Sequence, residues 1–332
     1  MFLLWEHALN KKLLIFITNY PFLTYQMKKY TAQFSLILLL ILGTAGLYWI
    51  SGIDSKMISL GKEEKISVPF ESTSLATKGE AIDQYKQGKM LAEELNPPDN
   101  KTAVKWYTLA AKKGFADAQN DLGVMHEQGR GIKQNYKGAV KWYTLAAKQG
   151  VAISQHNLAV MYEKGRGVKQ NYKTAIKWYT LAAKQRLVDS QNNLGVIYEK
   201  GLGVAKNNIV AVKWYTLAAE KGDSTAQFNL GRMFDEGLGV PKDDKTAMNW
   251  YTLAAEQGKV IAQYNLGVMY GKGEGVLQDN VYAHMWLNIA ASLGDKDAFK
   301  YRDIVAKRMS LSDITAAKRL DRECMIKNYK GC

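Results

Sequence analysis

Four histidines, His7, His126, His156 and His284, are the side chains best suited to proton transfer or metal binding near neutral pH. None has a partner at the His-Glu-x-x-His spacing that would put two imidazoles on one helical face. Ser59 and Lys62 match Ser-x-x-Lys, in which an amine activates a hydroxyl nucleophile. The accompanying Ser-Asp-Asn and Lys-Thr-Gly are absent, however, and the pair lies in a polar stretch without periodic structure. Five Gly-x-Gly turns suggest a phosphate cradle, but no strand precedes them and no Gly-Lys-Ser/Thr follows. Cys324 and Cys332 are the only cysteines, too few for a metal site, and would be able to pair if the domain is exported. The residues offer no convergent catalytic set, so the chain is expected to be non-enzymatic, with no cofactor, no metal and no small-molecule substrate.

The chemistry that does recur is structural. Trp106, Trp142, Trp178, Trp214, Trp250 and Trp286 follow one another at 36-residue steps. A fixed period of that size marks a stacked repeat architecture. In "AVKWYTLAAKQG", Ala139, Trp142, Tyr143, Ala146 and Ala147 share one helical face and Lys141, Thr144 and Lys148 the other. An earlier helix in the unit carries Ala118, Leu122 and Met125 at the same period, and Leu158, Leu194, Leu230 and Leu266 repeat Leu122. Each unit therefore reads as a helical hairpin. The tryptophans are expected to fill the space between neighbouring pairs, with Gly123 and Ala147 letting backbones approach.

Turn chemistry agrees with the hairpins. The first glycine of each Gly-x-Gly suits the left-handed residue that ends a helix. Asn135, Asn171, Asn207, Asp243 and Asp279 are good caps for the helix that follows. Gly114, Gly150, Gly222, Gly258 and Gly294 close that helix; Arg186 interrupts the series, so a different turn or local strain is expected there.

The succession Ala-Gln-x-x-Leu-Gly, Gly-x-Gly-Val and Ala-x-x-Trp-Tyr-x-x-Ala-Ala resembles the Sel-one-like repeat family, a branch of the tetratricopeptide-like repeats, over roughly residues 80–324. The resemblance implies an all-α, right-handed α/α solenoid. "AIDQYKQGKMLAEELNPPDN" departs from the pattern and looks like a degenerate first hairpin, whereas "DAFKYRDIVAKRMSLSDITAAKRL" is similar to closing helices, with Ser310 and Asp313 placed for a capping box. In such stacks the first helices line a concave side. A bound segment would then meet the row Asn120, His156, Asn192, Phe228 and Tyr264 and the row Val124, Val160, Val196, Arg232 and Val268. These ten residues are the candidate groove. Sequence drift at non-core positions would give the same pattern.

Residues 33–53 are uncharged and mainly apolar, long enough for a transmembrane helix, and follow Lys28 and Lys29, which favour a cytoplasmic N-terminus. A cleaved signal ending near "GTAG" is the competing reading. The expected organisation is a leader at 1–32, in which Met27 is an alternative start, an anchor or signal at 33–53, a tether at 54–79, the solenoid at 80–294, and capping helices with a tail at 295–332. The net charge of +14 permits an acidic partner, an anionic membrane or nucleic acid. Lysines concentrate in the earlier units, on the face opposite the tryptophans. The sequence points to a membrane-tethered scaffold in the bacterial periplasm that binds a protein or peptide. A cell-wall ligand receptor or enzyme is the alternative, and a nucleic-acid binder, not expected of an exported domain, is the third.

Overall fold

The computed structural model describes residues 70–95 and 97–332, with side chains from residue 78 onward. The leader, the apolar segment 33–53 and most of the expected tether lie outside the described residues. Val68–Cys332 is a compact unit with its own core. It contains 14 α-helices and, among the described residues, no strand.

The order is α1 (Phe70–Lys89), a π-helical turn (Met90–Glu94), α2 (Asn100–Lys112), α3 (Ala116–Gln128), α4 (Tyr136–Lys148), α5 (Ala152–Lys164), α6 (Tyr172–Lys184), α7 (Val188–Lys200), α8 (Asn208–Ala219), α9 (Ser224–Asp235), α10 (Asp244–Ala255), α11 (Val260–Lys272), α12 (Asn280–Ser292), α13 (Lys296–Ala306) and α14 (Leu311–Ile326). The odd helices α3 to α11 carry the Gln-x-x-Leu-Gly motif and are called A helices; the even helices α2 to α12 carry the aromatic phrase or its variant and are called B helices. Each A helix packs most extensively on the B helix that follows it. α1 begins at Phe70, inside the stretch expected to be a tether, and with the π-helical turn it packs against α2 as the first, irregular hairpin.

The expected caps form. Asn135 accepts from the Gly138 amide at 3.0 Å, and Asn171, Asn207 and Asp243 do the same in later units. Ser310 and Asp313 make the capping box of α14. Cys324 and Cys332 are joined in a disulfide. The small loop so closed holds the tail against α10, where the Gly331 amide donates to Glu256 at 2.9 Å and Tyr329 packs on the last core cluster.

One expectation about the core needs correction. Trp106, Trp142, Trp178, Trp214 and Trp250 are only half-buried, the last four packed against the core cluster of the tyrosine one unit earlier; Trp286 alone of the six is buried. The residue next to each is the true core knob: Tyr107, Tyr143, Tyr179, Tyr215 and Tyr251 are at most 1% exposed. Tyr107 lies on Gly88 of α1, and each of the other four rings lies on a small residue of an A helix. A methyl group added at Gly123 would stand 2.6 Å from the Tyr143 ring, and one at Gly195 2.5 Å from Tyr215. Glycine at these places lets the ring lie directly on the A helix, and a side chain added there must shift the ring or the helix. Ala159 is the exception opposite Tyr179, and Leu287 replaces the tyrosine on α12.

Arg186 takes φ 68°, the same left-handed conformation as Gly150 at 91° and Gly222 at 86°. The turn is conserved and a non-glycine residue bears its conformational cost. Nothing lies within 4 Å of where a side chain would begin at Gly150 or Gly222, so the cost is that of the backbone alone. Arg186→Gly is expected to raise the unfolding free energy by about 1 kcal/mol, which thermal denaturation resolves as a higher midpoint.

Candidate interaction face of the A helices

The solvent-facing side of the A helices is built around the buried tyrosines. Four of the five hydroxyls, those of Tyr143, Tyr179, Tyr215 and Tyr251, emerge at this face and donate to a carboxylate 16 residues earlier, on the A helix of the same hairpin; Tyr107 has Leu91 at that place. Tyr143 donates to Glu127 at 2.8 Å, Tyr179 to Glu163 at 2.5 Å, Tyr215 to Glu199 at 2.7 Å and Tyr251 to Asp235 at 3.2 Å. Burial, followed by the neighbouring carboxylate, drives these four hydroxyls far above the ordinary phenol range. Asn193, on the next A helix, donates to the Tyr179 hydroxyl at 3.1 Å. A polar line of carboxylate, phenol and amide thus crosses from one unit to the next in an otherwise apolar frame.

A cation already occupies one place on this line. Arg232 on α9 reaches back 33 residues to Glu199 on α7, with Nη2 to Oε1 at 2.6 Å, and also meets Glu236 at 3.4 Å. Both side chains of the Arg232–Glu199 pair are mostly covered, at 23% and 17% exposure. The places equivalent to Arg232 in other units are Val124, Val160, Val196 and Val268. Glu127 meets Arg166 only at 4.0 Å, and that guanidinium is exposed. Glu163 has Val196 and Leu202 where Glu199 has Arg232 and Glu127 has Arg166, and among the described residues it forms no ion pair. Asp235, with Val268 and Glu274 at those places, forms no ion pair among the described residues either, so Glu163 and Asp235 are the open seats of the row, and Glu163 is the one beside the filled seat at Glu199.

The ten candidate groove residues all fall on the A helices, but they do not form a free lining. Asn120 is buried and accepts from Ser154 at 2.8 Å. His156 Nδ1 lies 2.9 Å from the Ser190 hydroxyl, and its ring stands edge-on to Tyr179. Asn192 accepts from Asn229 at 3.1 Å. Phe228 packs on Tyr251, and Tyr264 packs against the cluster of α12 and α13. The first three of this row join one A helix to the next. The row of Val124, Val160, Val196, Arg232 and Val268 is half-buried and sits beside the carboxylates.

Sequence reasoning missed two parts. One is the carboxylate at Glu127, Glu163, Glu199 and Asp235, visible as an acidic residue 16 positions before each tyrosine. The other is the buried glutamine of Ala-Gln-x-x-Leu-Gly. Gln119, Gln155, Gln191, Gln227 and Gln263 each donate to a carbonyl of the preceding B helix at 3.1–3.2 Å. Gln149, Gln185 and Gln257 then donate to the oxygens of Gln119, Gln155 and Gln227 at 2.7–2.9 Å. Lys221 and Leu293 stand where the corresponding donors of Gln191 and Gln263 would be, and those two oxygens lack a hydrogen-bond partner. This ladder sets the register between units and takes no part in the open face.

The remaining candidates stay apart. His126 is half-buried and His284 buried; burial lowers both pKa values, as it does for His156. The three come from three different units and share no partner. A cleft of about 390 Å³ lies by the first turn, lined by Lys78, Lys113, Phe115 and Asp117 among others, away from the carboxylate row. No helix among the described residues is long and apolar enough to cross a membrane.

The comparisons with known proteins follow the same units. The sequence profile of the Sel1 repeat matches residues 93–115, 116–151, 152–187, 188–223, 224–259 and 260–295. The chain is similar to the crystal structure of a Sel1 repeat protein from Oxalobacter formigenes, at 34% identity over 65% of this chain and 86% of that one, with a TM-score of 0.57. It is also similar to c5321, a protective antigen of uropathogenic Escherichia coli strains displaying an SLR fold, at 29% identity and a TM-score of 0.52. That match covers 76% of this chain and 62% of the antigen, less than two thirds of the antigen's length. No curated protein matches the chain. Sel1 repeat proteins are generally protein-interaction scaffolds and typically non-enzymatic. With six matched units in unbroken succession over more than half its length, the chain belongs to the Sel1 repeat family.

Proposed function

We propose that this protein is a scaffold whose A-helix face holds an extended segment of a partner protein, with a cationic side chain of that segment seated on Glu163. The observation that carries this reading is the Arg232–Glu199 pair. In one unit the chain itself supplies a guanidinium to the carboxylate. In the unit before, it leaves the same place open beside a half-buried valine. An arginine placed there would gain the charge-assisted contact already seen at Glu199. The spacing of the A helices gives such a segment further contacts at Val160, Val196 and the amides of Asn157 and Asn193.

We further propose that residues 33–53 tether the scaffold outside the cytoplasmic membrane of a bacterium. The lysine pair before that segment and the Cys324–Cys332 bridge, which suits an oxidising compartment, support this placement. A reporter enzyme fused after residue 60 tests the topology, and activity on the cytoplasmic side would overturn it.

The binding reading is tested by photo-crosslinking in cells, with a crosslinking amino acid at Asn157 of the full chain. Val196→Arg places a guanidinium where Arg232 stands one unit later, so the chain should fill its own seat. Capture of the partner is expected to fall at least tenfold, the equivalent of about 1.4 kcal/mol, while Leu253→Ala on the opposite face leaves it unchanged. Equal capture by the Val196→Arg and unsubstituted chains would remove the seat at Glu163.

A further inference from the structure

The B helices carry a different pattern, which the partner seat does not use. On α4, Lys137, Lys141, Leu145 and Lys148 stand at successive three- and four-residue steps and form one exposed stripe. The same four places on α2 and α6 hold lysine, lysine, leucine and lysine again, so three parallel helices present three lysines each, nine in all. All nine are exposed, and none of them is in an ion pair among the described residues. These three helices contain no acidic residue. Leu109, Leu145 and Leu181 stand among the lysines at 45%, 38% and 37% exposure. On α8 and α10 the leucines continue as Leu217 and Leu253, but the lysines thin out and Asp244, Glu220 and Glu256 appear.

Nine like charges on one face repel one another, and among the described residues none is in a salt bridge. Asp99, before α2, is the one carboxylate whose lowered pKa owes anything to the charge of a lysine of the set: hydrogen bonds from Thr102 lower it most, and Lys105 adds to them. We infer that the B-helix face of α2, α4 and α6 lies on an anionic phospholipid surface. The lysines match the headgroup charge, and the leucines, out of place on a purely electrostatic surface, enter the boundary between headgroups and acyl chains. The pattern extends in two dimensions, over three helices and several turns of each. A single extended acidic peptide would cover one line of it. A polyanion such as nucleic acid would engage the lysines and leave the leucines in water, and no free aromatic side chain in the stripe stands ready to stack on bases. The lattice is confined to the units nearest in sequence to residues 33–53, the segment proposed above to tether the scaffold.

The test uses the full chain reconstituted in vesicles, so that the N-terminal segment contributes equally to every sample. An environment-sensitive fluorophore is attached at Leu145→Cys, the two native cysteines being paired, and a second sample carries it at Leu253→Cys. Quenching by doxyl-labelled lipid is compared between phosphatidylcholine vesicles and vesicles with about one third phosphatidylglycerol, an anionic content chosen to give a strong negative surface potential. Quenching at residue 145 is expected to be roughly fivefold stronger in the anionic vesicles. It should be weaker at residue 253, and abolished at about 0.5 M salt, where screening acts within about 5 Å. Replacing Lys137, Lys141, Lys148, Lys173, Lys177 and Lys184 with glutamine should remove it, with helicity checked by circular dichroism; should that variant not fold, the lipid and salt comparisons decide alone. Equal quenching in both lipids, no quenching in either, persistence in the glutamine variant, or shielding of the fluorophore by acidic protein or nucleic acid instead of lipid would each overturn the inference.

Discussion

Tyr215→Ala is expected to lower the unfolding free energy by about 3–5 kcal/mol, the range for removing a large aromatic ring from a packed core. Tyr215 is fully buried, its ring lies on Gly195, and its hydroxyl caps Glu199. The alanine would leave a cavity between α7 and α8 and remove one of the two partners of a mostly covered carboxylate. Trp214→Ala, one residue away, removes a larger ring that is only half-buried, and its cost is expected to be about 1–2 kcal/mol. Chemical denaturation of the two variants ranks them directly. Because units of a stack contact only their neighbours, the damage should also split the transition, with the units on either side of α7 and α8 unfolding separately.

Gly239→Ala should be of comparable severity for a different reason. Gly239 has φ 75°, and a methyl group there would stand 2.5 Å from the carbonyl carbon of Asn208 and 2.7 Å from its oxygen. Those atoms are backbone at the start of the preceding B helix, so relief requires one hairpin to move off another. A loss of about 3 kcal/mol or more is expected, combining the left-handed cost with the lost contact between units. Gly222→Ala provides the control. At φ 86° it bears the conformational cost, but its surroundings are open, and about 1 kcal/mol is expected. The difference between the two variants, read from denaturation midpoints, isolates the steric part.

The hairpins, their caps and the closing helices were legible because each depends on local chemistry repeated at a fixed step. Asn135 and its counterparts cap where a capping residue was expected, and Ser310 and Asp313 form their box. The choice between tryptophan and tyrosine as core knob was harder, since both have alanines three and four residues away. The helical period distinguishes them. Tyr143 has Ala139 four residues before and both Ala146 and Ala147 after it, which centres it on the small-residue stripe, whereas Trp142 stands at the stripe's edge. Size and hydrophobicity pointed to the indole; angular position decided for the phenol.

The site was less legible than the fold. The varying row from Asn120 to Tyr264 looked like groove lining, yet Asn120, His156 and Asn192 engage the neighbouring unit. Periodicity assigns a residue to a face and is silent on whether the next A helix covers that face. Arg232 drew notice as a departure from valine, but its meaning required the distance to Glu199, 33 residues earlier. Arg186 shows the opposite case, where the backbone keeps the shape of its neighbours and the side chain accommodates it.

The claim on which the rest depends is that the four central units are each held by a tyrosine seated on an A-helix small residue, with its hydroxyl on a carboxylate. Carbon-13 NMR of chains labelled at the tyrosine ζ-carbon, titrated from neutral pH to about pH 12, well past the ordinary phenol pKa of about 10, tests it most directly. The ζ-carbon signals of Tyr143, Tyr179, Tyr215 and Tyr251, assigned by single Tyr→Phe variants, should stay at the neutral position until the protein unfolds, while labelled free tyrosine added as an internal standard shifts near pH 10. Ionisation of those four together with the free standard, in a chain that is still folded, would contradict the account.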